Sequence, residues 1–228
     1  MSSERSSNII SSEQVHKTLI TPLGFDTSQI ISFIVKDGIG KNDKLIILRP
    51  EERPDEKRGE RAYDEVKKTV SNFSSETEIE KKILDTKNFE ETILDISNIL
   101  KDEKGEIVIN LSGGVRTIII ALTACSVFFN HKITRLYNYE KIDRDLKQIE
   151  LPYGSQELTD NEKMILQTVV QKGPKVYNEL IEELDLSRST VSRLSNILKE
   201  KHLVQTETIE KQTNVIPTLT GKLISFEI

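Results

Sequence analysis

Residues 107–118 read Ile107-Val108-Ile109-Asn110-Leu111-Ser112-Gly113-Gly114-Val115-Arg116-Thr117-Ile118. The apolar, β-branched beginning of this stretch predicts a buried strand, and the residues after Val115 have the apolar spacing of a helix. The two glycines between them allow a sharp turn and leave backbone N–H groups unobstructed. A strand that passes through glycines into a helix is typical of a parallel α/β sheet with a ligand site at the carboxyl end of the strand.

This turn has the properties of an anion site. The first N–H groups of a helix have no partners within the helix and lie at the positive end of its dipole. Arg116 adds a fixed positive charge at the same place, so phosphate is the ligand that we expect. The alternative is that Gly113 and Gly114 only turn the strand into the helix and that Arg116 is an ordinary surface cation.

The common nucleotide fingerprints are absent from the sequence. No Gly-x-Gly-x-x-Gly motif occurs, and the segment from Gly38 through Gly40 to Lys41 lacks the upstream glycine and the Ser or Thr of a P-loop. An NAD or ATP site of the usual kind is therefore not expected. We also expect no metal and no resident cofactor.

Composition limits the classes of partner. The 228 residues carry a net charge of −5, so the whole chain has no general attraction to nucleic acid or to an acidic membrane, and DNA contact requires a local basic patch. The only cysteine, Cys125, lies in an apolar run and is expected to be buried. Residues 1–12 are serine-rich without the apolar core of a signal peptide, and no stretch has membrane-spanning length. We therefore expect a cytoplasmic protein without membrane association.

Strands alternate with helices from residue 17 onward, which predicts a mainly parallel sheet with crossover helices. The predicted strands are 19–21, 44–48, 77–84, 107–111, 133–137 and 146–151. The predicted helices are 28–36, 61–73, 89–100 and 115–129. The fold class is therefore α/β, with a Rossmann-like domain over residues 17–152 after a flexible tail at residues 1–16. Pro152 to Ser155 interrupt the pattern and mark the domain boundary.

Three loops follow predicted strands at the edge of the sheet where ligands bind. They are residues 22–26, 49–58 and 112–116, and we expect them to face one crevice. The first is short and partly apolar, and its alternative is a simple turn. The second carries Arg53 and other cations among acidic residues, and its alternative is a solvated surface loop.

A second domain is predicted over residues 153–228. Thr159 with Glu162 three residues later has the pattern of a capping box that opens an apolar helix. A second helix is predicted over 176–184, and Ser187 is the expected N-cap of a third. Two short helices joined by such a turn make a helix-turn-helix.

The third helix is followed by predicted strands at 203–209 and 214–216, which supply the wing of a winged helix. Opposite its apolar face the helix presents small polar and basic residues, a pattern suited to the major groove of DNA. The residues predicted to contact DNA are Arg188, Ser189, Thr190, Ser192, Arg193, Asn196, Lys199 and, in the wing, Lys211. Helix-turn-helix domains also serve as protein-interaction modules, which is the alternative here.

In this order, the Leu23-Gly24-Phe25 loop, the Ser112-to-Arg116 segment and the winged helix resemble the archaeal CRISPR-associated transcriptional regulators of the Csa type. These proteins join a CARF domain (CRISPR-associated Rossmann fold) to a winged helix-turn-helix. The resemblance implies a homodimer whose paired CARF domains bind a cyclic oligoadenylate, expected to be cyclic tetra-adenylate. It also implies that the winged helices bind double-stranded DNA at promoters of CRISPR loci.

The resemblance also implies a set of ligand-binding residues. They are Leu23, Gly24, Phe25, Arg49, Pro50, Ser112, Gly113, Gly114, Val115, Arg116 and Thr117. Arg49 and Pro50 match the family only by position, because no sharp motif surrounds them.

Two other functions stay open at this stage. One is a CARF ring nuclease that slowly cleaves its own cyclic ligand, although His16, His131 and His202 form no recognisable catalytic pattern and we expect no enzyme. The other is a regulator of the same architecture that responds to a different small anion. The sequence leaves open whether the output is activation or repression.

Overall fold

The computed structural model describes residues 17–51, 57–140, 142–153, 157–210 and 212–226. The chain divides into two compact units, of which the first comprises residues up to Leu122 with His131–Gln148 and the second comprises Thr123–Asn130 with Ile149–Ile228. The predicted tail, Arg53, the segment 154–155 and Lys211 lie outside the described residues. Of the helices in the described part, none combines the length and the apolar composition that a membrane crossing needs.

The first unit is built on a six-stranded sheet in the order β3-β2-β1-β4-β5-β6. The strands are β1 (Lys17–Pro22), β2 (Lys44–Pro50), β3 (Glu78–Leu84), β4 (Glu106–Asn110), β5 (Ile133–Glu140) and β6 (Asp145–Gln148). Neighbouring strands are parallel from β3 to β5, and only β6 runs antiparallel, against β5. The predicted Rossmann-like α/β fold with a mainly parallel sheet is therefore confirmed.

The sequence of each strand matches its place in the sheet. β1, β2 and β4 lie in the middle, are covered on both faces, and are almost continuously apolar and buried. The outer strands β3 and β6 carry charged residues instead. Charged edges of this kind discourage pairing with the edge of another sheet.

Four helices connect the strands of the six-stranded sheet. They are α1 (Ser28–Asp37), α2 (Arg58–Phe73), α3 (Phe89–Asp102) and α4 (Arg116–Phe128). The part of α4 from Thr123 onward belongs to the second unit. Phe33 of α1 and Val66 of α2 pack with Leu19 and Leu45 of the sheet in one buried cluster. Cys125 of α4 is buried, as predicted.

The hairpin at the antiparallel edge differs from its predicted bounds. β5 continues beyond Tyr137 to Glu140, because its last four residues pair with β6. β6 ends at Gln148 and not at Leu151, since the chain leaves the sheet after the pair formed by Tyr137 and Gln148. The carbonyl of Leu151 instead accepts a hydrogen bond from Nδ2 of Asn130 at 3.0 Å.

The second unit contains four helices and a small antiparallel sheet in its described part. Its elements are α5 (Asp160–Gln171), β7 (Lys175–Val176), α6 (Tyr177–Leu184), α7 (Arg188–Glu200), β8 (Val204–Ile209), β9 (Gln212–Pro217) and α8 (Leu219–Ile224). The sheet order is β7-β9-β8. The two-residue strand β7 was not predicted, because two residues are too few to show a period. The predicted closing turn is the short helix α8, capped by Thr218.

The predicted capping box at the start of α5 is confirmed. Thr159 Oγ1 accepts from the N–H of Glu162 at 3.4 Å, and the N–H of Thr159 donates to Glu162 Oε2 at 2.7 Å. The same buried carboxylate accepts from Lys201 Nζ at 3.0 Å. Burial alone raises the pKa of Glu162, but the hydrogen bonds from Thr159 and Lys201 outweigh it and hold the pKa below its usual value.

Candidate functional site

The strand order brings two of the predicted ligand loops together. On one side of β1, the strands β2 and β3 follow in chain order toward one edge of the sheet. On the other side, β4 and β5 follow in chain order toward the opposite edge. β1 and β4 are parallel neighbours, so the order reverses between them and their carboxyl ends lie side by side. Open sheets bind ligands at such a switch point. The loop from Leu23 to Thr27 and the loop from Leu111 to Val115 begin there.

The two loops touch through their glycines. A Cβ on Gly24 would lie 2.9 Å from the backbone N of Gly114, and a Cβ on Gly114 would lie 2.7 Å from Cβ of Pro22. Gly113 and Gly114 have φ of +87° and +73°, in the left-handed region that favours glycine. This close approach and backbone conformation explain why glycines stand at these positions.

Buried hydrogen bonds hold the second loop against the sheet. Asn110 accepts the N–H of Ser112 at Oδ1 (3.1 Å) and donates from Nδ2 to Oγ1 of Thr21 (3.1 Å). Ser112 Oγ accepts the N–H of Tyr139 and lies 3.3 Å from Oδ1 of Asn138. The buried hydroxyl of Ser112 therefore positions the loop. Asn110 was not singled out from the sequence, although a polar residue in a β-branched strand was the signal for it.

The exposed side of the second loop is positively polarised. Val115 and Arg116 are exposed and Thr117 is half-buried. No described residue forms an ion pair or side-chain hydrogen bond with Arg116, the first residue of α4. The first turn of α4 contains no acidic residue, so the positive end of its dipole is not neutralised within the helix. These groups together suit a phosphate diester.

The first loop contributes an aromatic surface. Phe25 is 60% exposed, and the guanidinium of Arg58 at the start of α2 lies 5.9 Å from its ring centroid. An exposed ring beside a cation is suited to stacking on a planar base. Leu23, in contrast, is buried in the core, and its N–H donates to the carbonyl of Leu48 at 2.9 Å. Leu23 therefore fixes the start of the loop.

Arg49 lies at the end of β2 with its side chain buried. Its Nη1 is 2.9 Å from Oε1 of Glu60, which also accepts from Lys81 Nζ at 3.0 Å. The hydrogen bond from Lys81 has the largest effect on the pKa of Glu60 and lowers it, burial opposes this, and the hydrogen bond from Arg49 lowers the pKa further. Pro50, the next residue, is half-buried. The structure thus places the Arg49 guanidinium against α2, and the ligand-binding roles of both residues stay predictions.

Helix α7 of the second unit presents the predicted DNA-contacting face. Val191, Leu194 and Leu198 are buried on the inner side. The exposed predicted residues are Arg188, Ser189, Arg193, Asn196 and Lys199, and the half-buried ones are Thr190 and Ser192. The face thus carries three cations, and Glu200 is the only acidic residue of the helix.

The beginning of α7 is fixed by hydroxyl groups. Ser187 Oγ accepts the N–H of Thr190 at 3.2 Å, which confirms the predicted N-cap. The same oxygen lies 2.9 Å from Oγ of Ser189 and 2.8 Å from Oγ1 of Thr190. Ser189 and Thr190 are therefore engaged in the cap, and the polar residues of the face outside the cap are Arg188, Ser192, Arg193, Asn196 and Lys199.

The hairpin after α7 is not basic in its described part. Glu207 and Glu210 are exposed near its tip, and Ile209 between them is 58% exposed. Thr208 and Thr213 face each other across the strands, with their hydroxyl oxygens 3.3 Å apart. Of these two elements, α7 therefore carries the positive charge and the described part of the hairpin does not.

Residues 17–148, more than half of the chain, match the family described as the Csa3 CRISPR-associated Rossmann-like domain. The chain belongs to this family. The match extends from β1 to β6 and includes both glycine loops, so the CARF part of the resemblance seen in the sequence is confirmed. The second unit after Gln148 lies outside the matched residues.

Solved structures also resemble the chain, at low sequence identity. Protein VC1899 from Vibrio cholerae is 9% identical, with a TM-score of 0.44, over 92% of this chain and 64% of that one. Enterococcus italicus Csm6 bound to cyclic hexa-2'-fluoro-hexa-dAMP is 13% identical, with a TM-score of 0.45, over 92% of this chain and 51% of that one. The chain thus spans less than two thirds of either protein. No curated protein matches the sequence.

The described residues of this Csa3 family member contain no cluster of three His, Cys, Asp or Glu side chains that could hold a metal ion. His202 stacks on Tyr153, with ring centroids 3.9 Å apart and planes 6° from parallel. His131 lies in a short 3₁₀ turn before β5, and His16 is outside the described residues. The groups assembled at the glycine loops are thus backbone N–H donors, a cation and an aromatic ring.

Proposed function

We propose that this protein is a ligand-responsive transcriptional regulator of CRISPR loci. Residues 17–152 bind a cyclic oligoadenylate, expected to be cyclic tetra-adenylate, and residues 153–228 form a winged helix that binds promoter DNA in the cytoplasm. The single observation that carries the proposal is the backbone contact between Gly24 and Gly114 at the switch point of the sheet. Membership of the Csa3 family supports the link to CRISPR.

The chemistry of the crevice suits a ring of phosphodiesters and bases. Phosphate oxygens accept hydrogen bonds from the N–H groups of the glycine loop and of the first turn of α4. The Arg116 guanidinium adds a charge-assisted bond. Phe25 offers an exposed ring on which a base stacks. A small inorganic anion can bind to the N–H groups and to Arg116, but it has no base that could stack on Phe25.

Helix α4 supports a homodimer. Ile120, Ala124 and Phe128 are exposed at positions i, i+4 and i+8 of this helix, which form one apolar stripe. Ile120 and Phe128 are 59% and 79% exposed, and a second copy of the chain is the partner that would cover them. The stripe begins one turn after Arg116, so pairing through it brings two glycine loops near one two-fold axis. A cyclic ligand with two-fold symmetry then contacts both loops alike.

We expect Ile120→Glu to convert the dimer into a monomer, because a charge buried in an apolar interface is strongly destabilising. Light scattering after size exclusion measures the mass directly. Val35→Glu is the matched control, since Val35 is 61% exposed on a different helix, α1. A wild-type monomer, or an Ile120→Glu variant that stays dimeric, would contradict the proposed interface.

Ligand binding acts on DNA through the dimer. A ring held by both subunits favours one arrangement of the pair over others. That arrangement sets the spacing of the two α7 helices, which must match DNA half-sites about 34–36 Å apart or a multiple of that distance. A coupling free energy of about 1–3 kcal/mol between ring and DNA is typical of such systems.

Calorimetric titration with cyclic tetra-adenylate tests the ligand assignment. We expect Arg116→Ala to weaken binding at least tenfold, roughly what the loss of one hydrogen bond to a charged group costs. Arg188→Ala is the control, because Arg188 is an exposed arginine of the second unit. Equal affinity of the Arg116→Ala variant and the wild type would remove Arg116 from the site.

A further inference from the structure

Gln29 of α1 has a buried side-chain amide whose oxygen has no partner. The residue is only 7% exposed, and no described residue donates a hydrogen bond to its Oε1. The position of this oxygen is specific: a Cβ placed on Gly113 would lie 3.0 Å from it. The Gln29 carbonyl therefore lies directly behind the glycine loop of the candidate site.

The polar groups next to Gln29 in the chain are already paired with each other. The N–H and the hydroxyl of Ser28 both donate to Oδ1 of Asp26, at 3.0 and 2.6 Å. Thr27, the N-cap of α1, makes no side-chain capping bond. Buried polar atoms in folded proteins nearly always have a partner, so an orphaned carbonyl calls for an explanation. Its place behind Gly113 suggests that the partner is a ligand.

The missing partner must be a hydrogen-bond donor. Phosphodiester oxygens at neutral pH only accept, and the loop N–H groups and Arg116 serve them. The donors that a nucleotide offers are the ribose hydroxyl and the exocyclic amino group of the base. We propose that Gln29 accepts a hydrogen bond from such a hydroxyl or amino group and thereby selects nucleotides over bare polyanions, an inference that rests on the proposed function.

The side chain can make this contact without moving the helix. The terminal amide torsion of glutamine is soft, so Oε1 can turn away from Gly113 when a ligand binds. Gly113 and Gly114 carry no side chains that would block the approach of a ligand. The two glycines thus serve the phosphate contact and this second contact together.

Gln29→Met tests the proposal, because methionine has a similar shape and no acceptor of comparable strength. We expect the affinity for cyclic tetra-adenylate to fall about tenfold. The affinity for inorganic tripolyphosphate, a polyanion without nucleoside donors, is expected to stay unchanged. The melting temperature of the free protein should stay the same or rise, since an unsatisfied buried acceptor has been removed. Ser32→Ala, one turn further along α1, is the matched control.

A ring of 2′-deoxyadenylates distinguishes the two donor sources. If the ribose hydroxyl is the donor, the wild type binds the deoxy ring about tenfold more weakly than cyclic tetra-adenylate. The Gln29→Met variant then binds the two rings with equal affinity. If the amino group is the donor, the wild type binds both rings alike and Gln29→Met weakens both. Either pattern supports a nucleoside contact.

Three outcomes would overturn the inference. If Gln29→Met binds cyclic tetra-adenylate with unchanged affinity, Gln29 makes no hydrogen bond to the ligand. A lower melting temperature with unchanged affinity shows that Gln29 is structural, with a buried water as its partner. If the wild type fails to bind cyclic tetra-adenylate, the proposed function is overturned, and the Gln29 contact with it. The wild-type titration therefore distinguishes failure of the proposed function from failure of the Gln29 contact alone.

Discussion

Gly114→Ala is expected to abolish binding of cyclic tetra-adenylate, whereas Gly38→Ala should leave it intact. The backbone φ is positive at both glycines, +73° at Gly114 and +76° at Gly38. Alanine is disfavoured at positive φ, and at Gly38, where ψ is 151°, the backbone lies in a region that almost only glycine adopts. The control variant therefore carries a backbone penalty of its own, and the surroundings make the difference.

The surroundings of the two positions are opposite. No heavy atom lies within 4 Å of a Cβ on Gly38, which follows α1. A Cβ on Gly114 would lie 2.7 Å from Cβ of Pro22 and 3.4 Å from the backbone N of Leu23. One loop must then move away from the other, which opens the contact that forms the crevice. We expect a loss of at least about 100-fold in affinity.

Calorimetry and thermal melting together measure these effects. Both variants should melt below the wild type, and only Gly114→Ala should lose ligand binding. Wild-type affinity in Gly114→Ala would show that the contact between the loops is not needed. An equal loss in Gly38→Ala would show that the effect arises from general destabilisation.

The second large effect concerns DNA. Replacing Arg188 and Arg193 together by alanine is expected to weaken binding to CRISPR promoter DNA by roughly 100-fold or more, since each arginine contact to a base edge or phosphate contributes about 1–3 kcal/mol. Both side chains are exposed on the α7 face opposite Val191 and Leu194. Binding of cyclic tetra-adenylate should not change, because neither arginine belongs to the Rossmann-like unit.

A charge-matched variant separates a specific face from overall charge. The double variant Lys163→Ala, Lys172→Ala also removes two positive charges. Lys163 lies in α5, and Lys172 directly follows this helix. Fluorescence anisotropy with a promoter duplex at several salt concentrations gives both affinity and salt slope. The arginine variant should lose about one unit of slope for each phosphate contact removed. An equal loss of DNA affinity in both double variants, or no loss of DNA affinity in the arginine variant, would contradict DNA recognition by α7.

The local structure was predicted well because apolar residues recur in the sequence at the regular spacings of strands and helices. The β-branched strand before Ser112 and the Thr159 capping box both appear as expected. The two glycine loops were also predicted, since each follows a strand at the edge of the sheet where ligands bind. That the loops touch depends on the strand order, and the alternation of strands and helices does not specify that order.

Other features depend on tertiary packing and left no local signal. Arg49 was predicted to lie in a loop over the crevice, whereas β2 extends through it and its guanidinium pairs with Glu60 of α2. Gln29 is an ordinary polar residue in the first turn of a helix, and only the position of Gly113 reveals its unpartnered oxygen. Lys201 follows α7 in the sequence as one more basic residue, but its side chain pairs with buried Glu162.

The central claim is that the glycine loops of two copies hold one cyclic polyanion. Titration of cyclic tetra-adenylate into the wild-type protein in a calorimeter measures affinity and stoichiometry together. The account predicts saturable binding at one ring per two chains. Absence of binding, or saturation at one ring per chain, would contradict it.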